Sequence, residues 1–277
     1  MPWESDLSPL FEIDPSAIRR LKSLDVFATP KKFQVIAAQF SYPAPLLKSL
    51  MIEVECLPQP HRSPVIPVTF FNGDLSSLRE LDLKCVRTEL PWRNMVNLTS
   101  FILASTPPGE ISTKQLLDFL ESAPRLHKFE LYCTPLASSD NSGRLVSLTH
   151  LKNLAIHGNQ PTSLLFDHLL IPVGVVSETE LESPRYPLED HLPRSLDNLR
   201  NLSGFTQLHL HLEGRDLDVQ FGGPSGRARM SSLRPQGDIT RSVLESLARF
   251  DTPAVKQLEV IHNNPPSDDL PYQVLPP

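Results

Sequence analysis

The sequence predicts an α/β chain in which short parallel strands line one face and helices with irregular connections line the other, coiled as one irregular solenoid. Three observations carry that expectation. A frame of apolar residues at positions 1, 4 and 6 recurs eight times, the intervals between frames are close to one repeat length, and the segments between them are patterned as short helices. Composition agrees: of 277 residues 45 are Leu and 28 are Pro, against 11 Gly, with proline at roughly twice its average usage. An apolar content of 40% with 21% charged residues excludes a disordered chain.

The frames are Leu21, Leu24, Val26; Leu47, Leu50, Ile52; Leu78, Leu81, Leu83; Leu98, Phe101, Leu103; Leu126, Phe129, Leu131; Leu151, Leu154, Ile156; Phe205, Leu208, Leu210; and Val255, Leu258, Val260. Each reads as the strand half of a leucine-rich repeat. Side chains alternate along a strand, so the fourth and sixth residues share one side, the core side. From one fourth position to the next the intervals are 26, 31, 20, 28, 25, 54 and 50 residues, and the first five lie near the ~20–29 of leucine-rich repeats. The interval of 54 has room for a degenerate strand at Val175 to Leu181. The interval of 50 holds alternating Leu208, Leu210 and Leu212, then Leu217, Val219 and Phe221, then Gly222-Gly-Pro-Ser-Gly226. This reads as a strand-rich insertion at about 213–235 with a glycine-proline turn.

The connections carry helix signals. Asp14-Pro15 opens a helix through Ile18 and Leu21, with an acidic cap and proline in the first turn. Ser112 caps a run from Thr113 to Ser122, with Gln115 in the capping-box position and Leu116, Leu117 and Leu120 on one face. A third helix is expected from about Thr240 to Arg249, with Val243, Leu244 and Leu247 inward. A regular repeat has Asn or Cys at position 9. Here Asn159 and Asn263 occupy it, while Cys85 and Cys133 fall one residue early and read as half-buried turn residues. The predicted organisation is an N-terminal extension at 1–16, a single solenoid at 17–264 and a Pro-rich tail at 265–277. The competing organisation is two globular domains split near Pro184 to Pro193.

Several function classes drop out on composition. A net charge of −6 disfavours nucleic acid, whose phosphates need a basic face. Residues 1–6 carry no basic or apolar signal region, and the longest apolar stretch, Leu164 to Val176, is broken by Asp167 and His168, short of the ~20 residues of a membrane span. An odd number of scattered cysteines, Cys56, Cys85 and Cys133, reads as reduced thiols in a cytoplasmic or nuclear protein. The sequons at Asn97 and Asn201 are expected to be unglycosylated chance matches.

Four segments resemble one family. Phe71-Asn-Gly-Asp-Leu-Ser-Ser-Leu-Arg-Glu-Leu-Asp-Leu, Asn97-Leu-Thr-Ser-Phe, Leu117-Asp-Phe-Leu-Glu-Ser-Ala-Pro-Arg-Leu and Leu148-Thr-His-Leu-Lys-Asn-Leu are similar to the leucine-rich part of the expanded fungal F-box/leucine-rich-repeat-like proteins. The likeness spans most of residues 18–264. It implies an adaptor whose F-box recruits a cullin ubiquitin ligase through Skp1 while the repeats select a substrate. Residues 1–20 leave no room for the roughly forty-residue F-box, and Pro9-Leu-Phe-Glu-Ile13 is too little of it. The expectation is therefore a repeat module that binds an unknown protein target. The alternative is a truncated or structural repeat protein with no ligase link.

Catalytic templates fail. His209 and His211 flank Leu210 and share a strand face, a spacing metal sites use, with Glu213 or His262 as the third ligand. Two polar residues on an exposed face explain them as well, and neither a metal nor any other cofactor is assigned. A metal-dependent hydrolase is the remote third reading. Gly222 to Gly226 lacks the Gly-Lys-Ser/Thr ending of a phosphate loop, and no Gly-x-Ser-x-Gly or His-Glu-x-x-His occurs. No enzyme is expected. What remains is the outward face, positions 5 and 7 of each frame. Its candidate partner-binding residues, gathered by stacking into one concave strip, are Phe27, Glu53, Lys84, Glu130, Tyr132, His157, His209 and His211. A merely solvated sheet surface is the other reading of that strip.

Overall fold

The computed structural model describes residues 14–56, 63–88, 95–107, 111–137, 143–158, 163–181, 195–213, 216–233 and 255–262. Its elements in chain order are α1 (Pro15–Arg20), β1 (Ser23–Ala28), α2 (Pro30–Gln39), β2 (Ser49–Val54), β3 (Val65–Ile66), β4 (Glu80–Lys84), β5 (Arg87–Thr88), β6 (Ser100–Ala104), β7 (Ile111–Ser112), α3 (Thr113–Ser122), β8 (Lys128–Tyr132), β9 (Leu136–Ala137), β10 (Val146–Ser147), β11 (Asn153–Gly158), α4 (Ser163–Phe166), β12 (Leu169–Leu170), β13 (Val176–Leu181), β14 (Gln207–Glu213), β15 (Asp216–Gly223), β16 (Gly226–Leu233) and β17 (Gln257–His262). The fold is mixed α/β, with few helices and one large, mostly parallel sheet.

That sheet has eleven strands in the order β1-β2-β4-β6-β8-β11-β13-β16-β15-β14-β17. All eight apolar frames lie in it. From β1 to β13 each strand pairs in parallel with the next, and β15 alone runs against the others. The register superimposes the frames. Leu24, Leu50, Leu81, Phe101, Phe129 and Leu154 form one row, and Val26, Ile52, Leu83, Leu103, Leu131 and Ile156 form the next but one. Every member of these rows is buried except Leu24, which is partly buried against the same core. The aromatic members stack along the row, the Phe101 and Phe129 rings being parallel at 5.9 Å between centroids.

Short-range chemistry explains the helices. Asp14 accepts from the Ser16 N–H and starts α1 at Pro15, and Ser112 with Gln115 forms the complete capping box of α3. Leu116, Leu117 and Leu120 are buried as the spacing predicts. Helix α2 was not anticipated, although its signal is present: Thr29 caps it and Pro30 opens it. The helix expected at Thr240 to Arg249 and the turn residues Asn159 and Asn263 lie outside the described residues. Behind the large sheet, three two-stranded parallel ladders, β3–β5, β7–β9 and β10–β12, pair one connection with the next. Among the described residues no helix is long and apolar enough to cross a membrane.

The strand-rich segment forms β15 and β16 around the glycine-proline turn, and with β14 they make a meander that β16 joins to β13 and β14 joins to β17. Two expectations are corrected. Cys56 and Cys85 form a disulfide, with Cα atoms 5.2 Å apart across 29 residues of sequence. Pairing of β2 with β4 carries the two strand ends side by side, which an odd count of scattered cysteines does not reveal. Leu258 and Val260, core positions by their frame, are 61% and 57% exposed on β17, the last strand of the sheet. Both sequons are engaged. The Asn97 amide donates to the Ser76 carbonyl at 2.8 Å, and Asn201 is buried with its amide 2.9 Å from Ser177 Oγ.

The turn between β15 and β16 depends on close approach. A Cβ on Gly226, at φ +140°, would lie 2.7 Å from the Val175 carbonyl oxygen, whereas one on Gly143, at φ +76°, meets nothing within 4 Å. Gly226→Ala therefore costs about 2–3 kcal/mol of stability, backbone strain plus the clash, while Gly143→Ala costs about 1 kcal/mol for strain alone. Urea denaturation of the two variants measures the difference.

Candidate functional site

The side of the sheet opposite the core presents three rows of side chains, and register makes each continuous. One row reads Asp25, Met51, Asp82, Ile102, Glu130, Ala155, Glu178, Arg229, Gln220, His209, Glu259. Two residues further along each parallel strand, the second reads Phe27, Glu53, Lys84, Ala104, Tyr132, His157, Glu180, Ser231, Asp218, His211, Ile261. All eight sequence-predicted residues lie in these two rows.

The structure brings some of them together. Tyr132 and His157 are register partners whose rings stack at 4.7 Å, and His157 Nδ1 lies 2.9 Å from Glu180 Oε2. That contact fixes the imidazole and leaves His157 Nε2 buried without a hydrogen-bond partner. Lys84 Nζ sits between Glu53 at 3.3 Å and Asp82 at 3.7 Å, and Lys128 reaches Glu130 at 3.0 Å. Phe27 is 65% exposed and, with Glu53, Lys84, Ala104 and the Cys56–Cys85 disulfide, lines a groove of about 380 Å³ at the ends of the strands.

Others stand apart. Three strands, β13, β16 and β15, separate His157 on β11 from His209 and His211 on β14, where the spacing of the frames left room for one. His209 Nδ1 lies 2.7 Å from Glu259 Oε2, and among the described residues no group of three or more His, Cys, Asp or Glu is placed to hold a metal. Glu213 and His262 offer no described side chain.

Electrostatics single out the middle of the face. Burial pushes the Asp82 carboxyl above the usual carboxylate range, the Lys84 ammonium opposes it, and Glu53 and Glu130 add to the rise. Asp82 Oδ1 is buried and lacks a partner. Tyr132 is pushed up to about 12, first by burial and then by Glu130, so its phenol stays a neutral donor through the physiological range. Asp82, an outward position of its frame, belongs to the same surface, and so do Glu178, Glu180, Asp218 and Arg229, which lie outside the eight frames. The signal for Glu178 and Glu180 is the degenerate strand Val-Ser-Glu-Thr-Glu-Leu, whose acids alternate outward while Thr179 is buried.

The turns at the strand ends hold the face steady. Cys85, Ser105 and Cys133 take φ of 56°, 54° and 43°. Each donates its N–H to the last outward residue of the next strand, Ala104, Tyr132 and His157 respectively, at 2.8–2.9 Å. One residue on, Thr106 and Thr134 are buried; the Thr134 hydroxyl lies 2.9 Å from the Tyr132 carbonyl and 3.4 Å from Thr106 Oγ1. At this place, where a regular repeat has Asn or Cys, the Thr134 hydroxyl bonds the backbone.

No protein-family model, no curated protein and no solved structure matches this chain.

The Asp82 carboxyl makes a prediction with a definite sign. Its folded-state pKa lies above the unfolded value near 3.8, so ionisation destabilises the fold above that range and the penalty fades as pH falls through it. Asp82→Asn raises Tm at pH 7 by roughly 1–2 °C, the scale of a sub-kcal/mol change at this size, because Lys84 keeps Glu53 as its partner. Thermal melts at pH 7 and pH 3 check it: the gain disappears at pH 3.

Proposed function

We propose that this chain is an irregular leucine-rich-repeat-like solenoid that works as a non-enzymatic protein-binding scaffold. It would serve in the way the substrate-recognition repeats of F-box adaptors serve their targets. The observation that carries this reading is the in-register outer face: stacked strands turn positions 5 and 7 of successive frames into continuous rows, with the Tyr132–His157 stack near their centre. Repeat architectures bind through such extended surfaces, and aromatic residues with a polar tip are the side chains that anchor them. The resemblance to the fungal F-box/leucine-rich-repeat-like proteins supports target selection as the role; recruitment of a ligase through Skp1 is a separate property on which the sheet face has no bearing.

The reading favours binding over chemistry because polar groups of the face contact one another across neighbouring strands, as Lys84 does Glu53 and His157 does Glu180. A reactive centre needs a nucleophile next to a base. Selection from a random displayed-peptide library against the intact chain tests the proposal. Selected peptides lose more than about 1 kcal/mol of binding with Tyr132→Ala and change little with Lys114→Ala on the exposed side of α3. Isothermal titration of the two variants measures this, and peptides indifferent to Tyr132→Ala would overturn the reading.

A further inference from the structure

The middle row of the face is periodic in chemistry as well as in register. Across β1 to β13 the acids Asp25, Asp82, Glu130 and Glu178 alternate with Met51, Ile102 and Ala155. Neighbouring strands lie ~4.8 Å apart, so successive acids are ~9.6 Å apart with an apolar side chain between each pair. Over the two rows named above and the third, which passes through Glu80, Lys128 and Arg227, nine carboxylates face four Lys and Arg residues, leaving −5 of the chain's net −6 with the histidines uncharged. Lys84 and Arg229 are each shared by two carboxylates, so the excess is local as well as overall.

The row is also shaped. Asp25, Met51, Glu80, Asp82 and Ile102 line a recess of about 300 Å³ between β1 and β6. Asp25 and Asp82 with the Met51 thioether between them, and Ile102 beyond Asp82, suit a side chain with an apolar stem and a planar cation, which is arginine. At the centre of the row Asp82 Oδ1 lacks a partner, and the Tyr132–His157 stack offers flat faces on which a guanidinium can lie.

Resting on the protein-binding reading above, we infer that this face binds an extended polypeptide segment bearing arginines at every third residue, running across the strands along the Asp25 to Glu178 row. The period follows from geometry. A polyproline II segment rises ~3.1 Å per residue and repeats its face every three, placing successive cations ~9.3 Å apart, close to the ~9.6 Å between acids. A β-extended ligand repeats its face every two residues, at ~6.8 Å, and drifts out of phase after one acid.

Fluorescence anisotropy with the intact chain and two labelled 15-residue probes tests this. The probes are (Arg-Pro-Pro)5 and a peptide of five Arg followed by ten Pro, alike in charge and composition. The spaced peptide binds about tenfold more tightly in 50 mM salt, as expected if it makes two more exposed ion pairs of ordinary strength, and loses most of its affinity at 0.5 M salt, where exposed charges are screened. Asp82→Asn with Glu130→Gln weakens it about tenfold, and so does Asp25→Asn with Glu178→Gln, a second pair that keeps the test sound if the first disturbs folding. Equal binding of the two probes, or indifference to both pairs of substitutions, overturns the inference. If neutral or acidic library peptides bind and are lost with Tyr132→Ala, the scaffold reading stands while this partner falls. If no selected peptide depends on Tyr132, both fall.

Discussion

The carbonyl of Lys22 accepts from the N–H groups of both Lys48 and Ser49, at 2.8 and 3.2 Å, and the same forked acceptor recurs at Lys48, Arg79, Thr99, His127 and Thr206. It always falls on position 2 of a frame and always reaches positions 2 and 3 of the next strand in the sheet. A turn sets it up: the position-1 leucines Leu47, Leu78, Leu98, Leu126 and Leu151 each donate their N–H to the residue three before, closing the chain just ahead of the strand. This repeated geometry pins register. A slip of one residue would exchange the core face for the outer face on every strand, sending Leu81 and Leu83 to solvent and Asp82 and Lys84 to the core.

Register is therefore what joins stability to the outer face. One alignment buries the rows of Leu, Ile and Phe and, on the opposite side, lays Asp, Glu, Tyr and His in unbroken lines. The two sides differ in how they are satisfied. From β1 to β11 the core rows are apolar and need only packing. The outer side crowds carboxylates, and it holds Asp82 with a raised pKa and an unpartnered oxygen. A fold selected for stability alone has no use for such a residue at the centre of a half-buried surface, whereas a surface that meets a cation does.

The meander of β14, β15 and β16 shows how a repeat sheet absorbs a different kind of chain. Its outer strands run parallel to their neighbours, so the sheet continues with its rows unbroken and β15 is the one reversed strand. The cost falls on the turns. Gly223 and Gly226 sit where a side chain would meet the backbone of Phe205 and Val175. Polar Ser177 takes a core position on β13 because the Asn201 side chain, itself buried, supplies its hydrogen bond.

Much of this was legible in the residues. The eight frames mark strands because alternation and spacing are local properties of a chain, and Asp14-Pro15 and Ser112 with Gln115 mark helix starts for the same reason. The outward identity of Tyr132, His157, Glu53 and Lys84 follows from alternation alone. Sequence could not say which strands become neighbours once the chain leaves the simple repeat. That choice belongs to tertiary pairing: it put three strands between His157 and the pair His209 and His211, drew Glu178 and Arg229 into the face, and brought Cys56 against Cys85. It also decided burial, for Leu258 and Val260 on β17 share the frame pattern of the core rows yet are exposed. Periodicity thus decided which way each side chain points, and the hydrogen-bonded order of the strands decided what it meets.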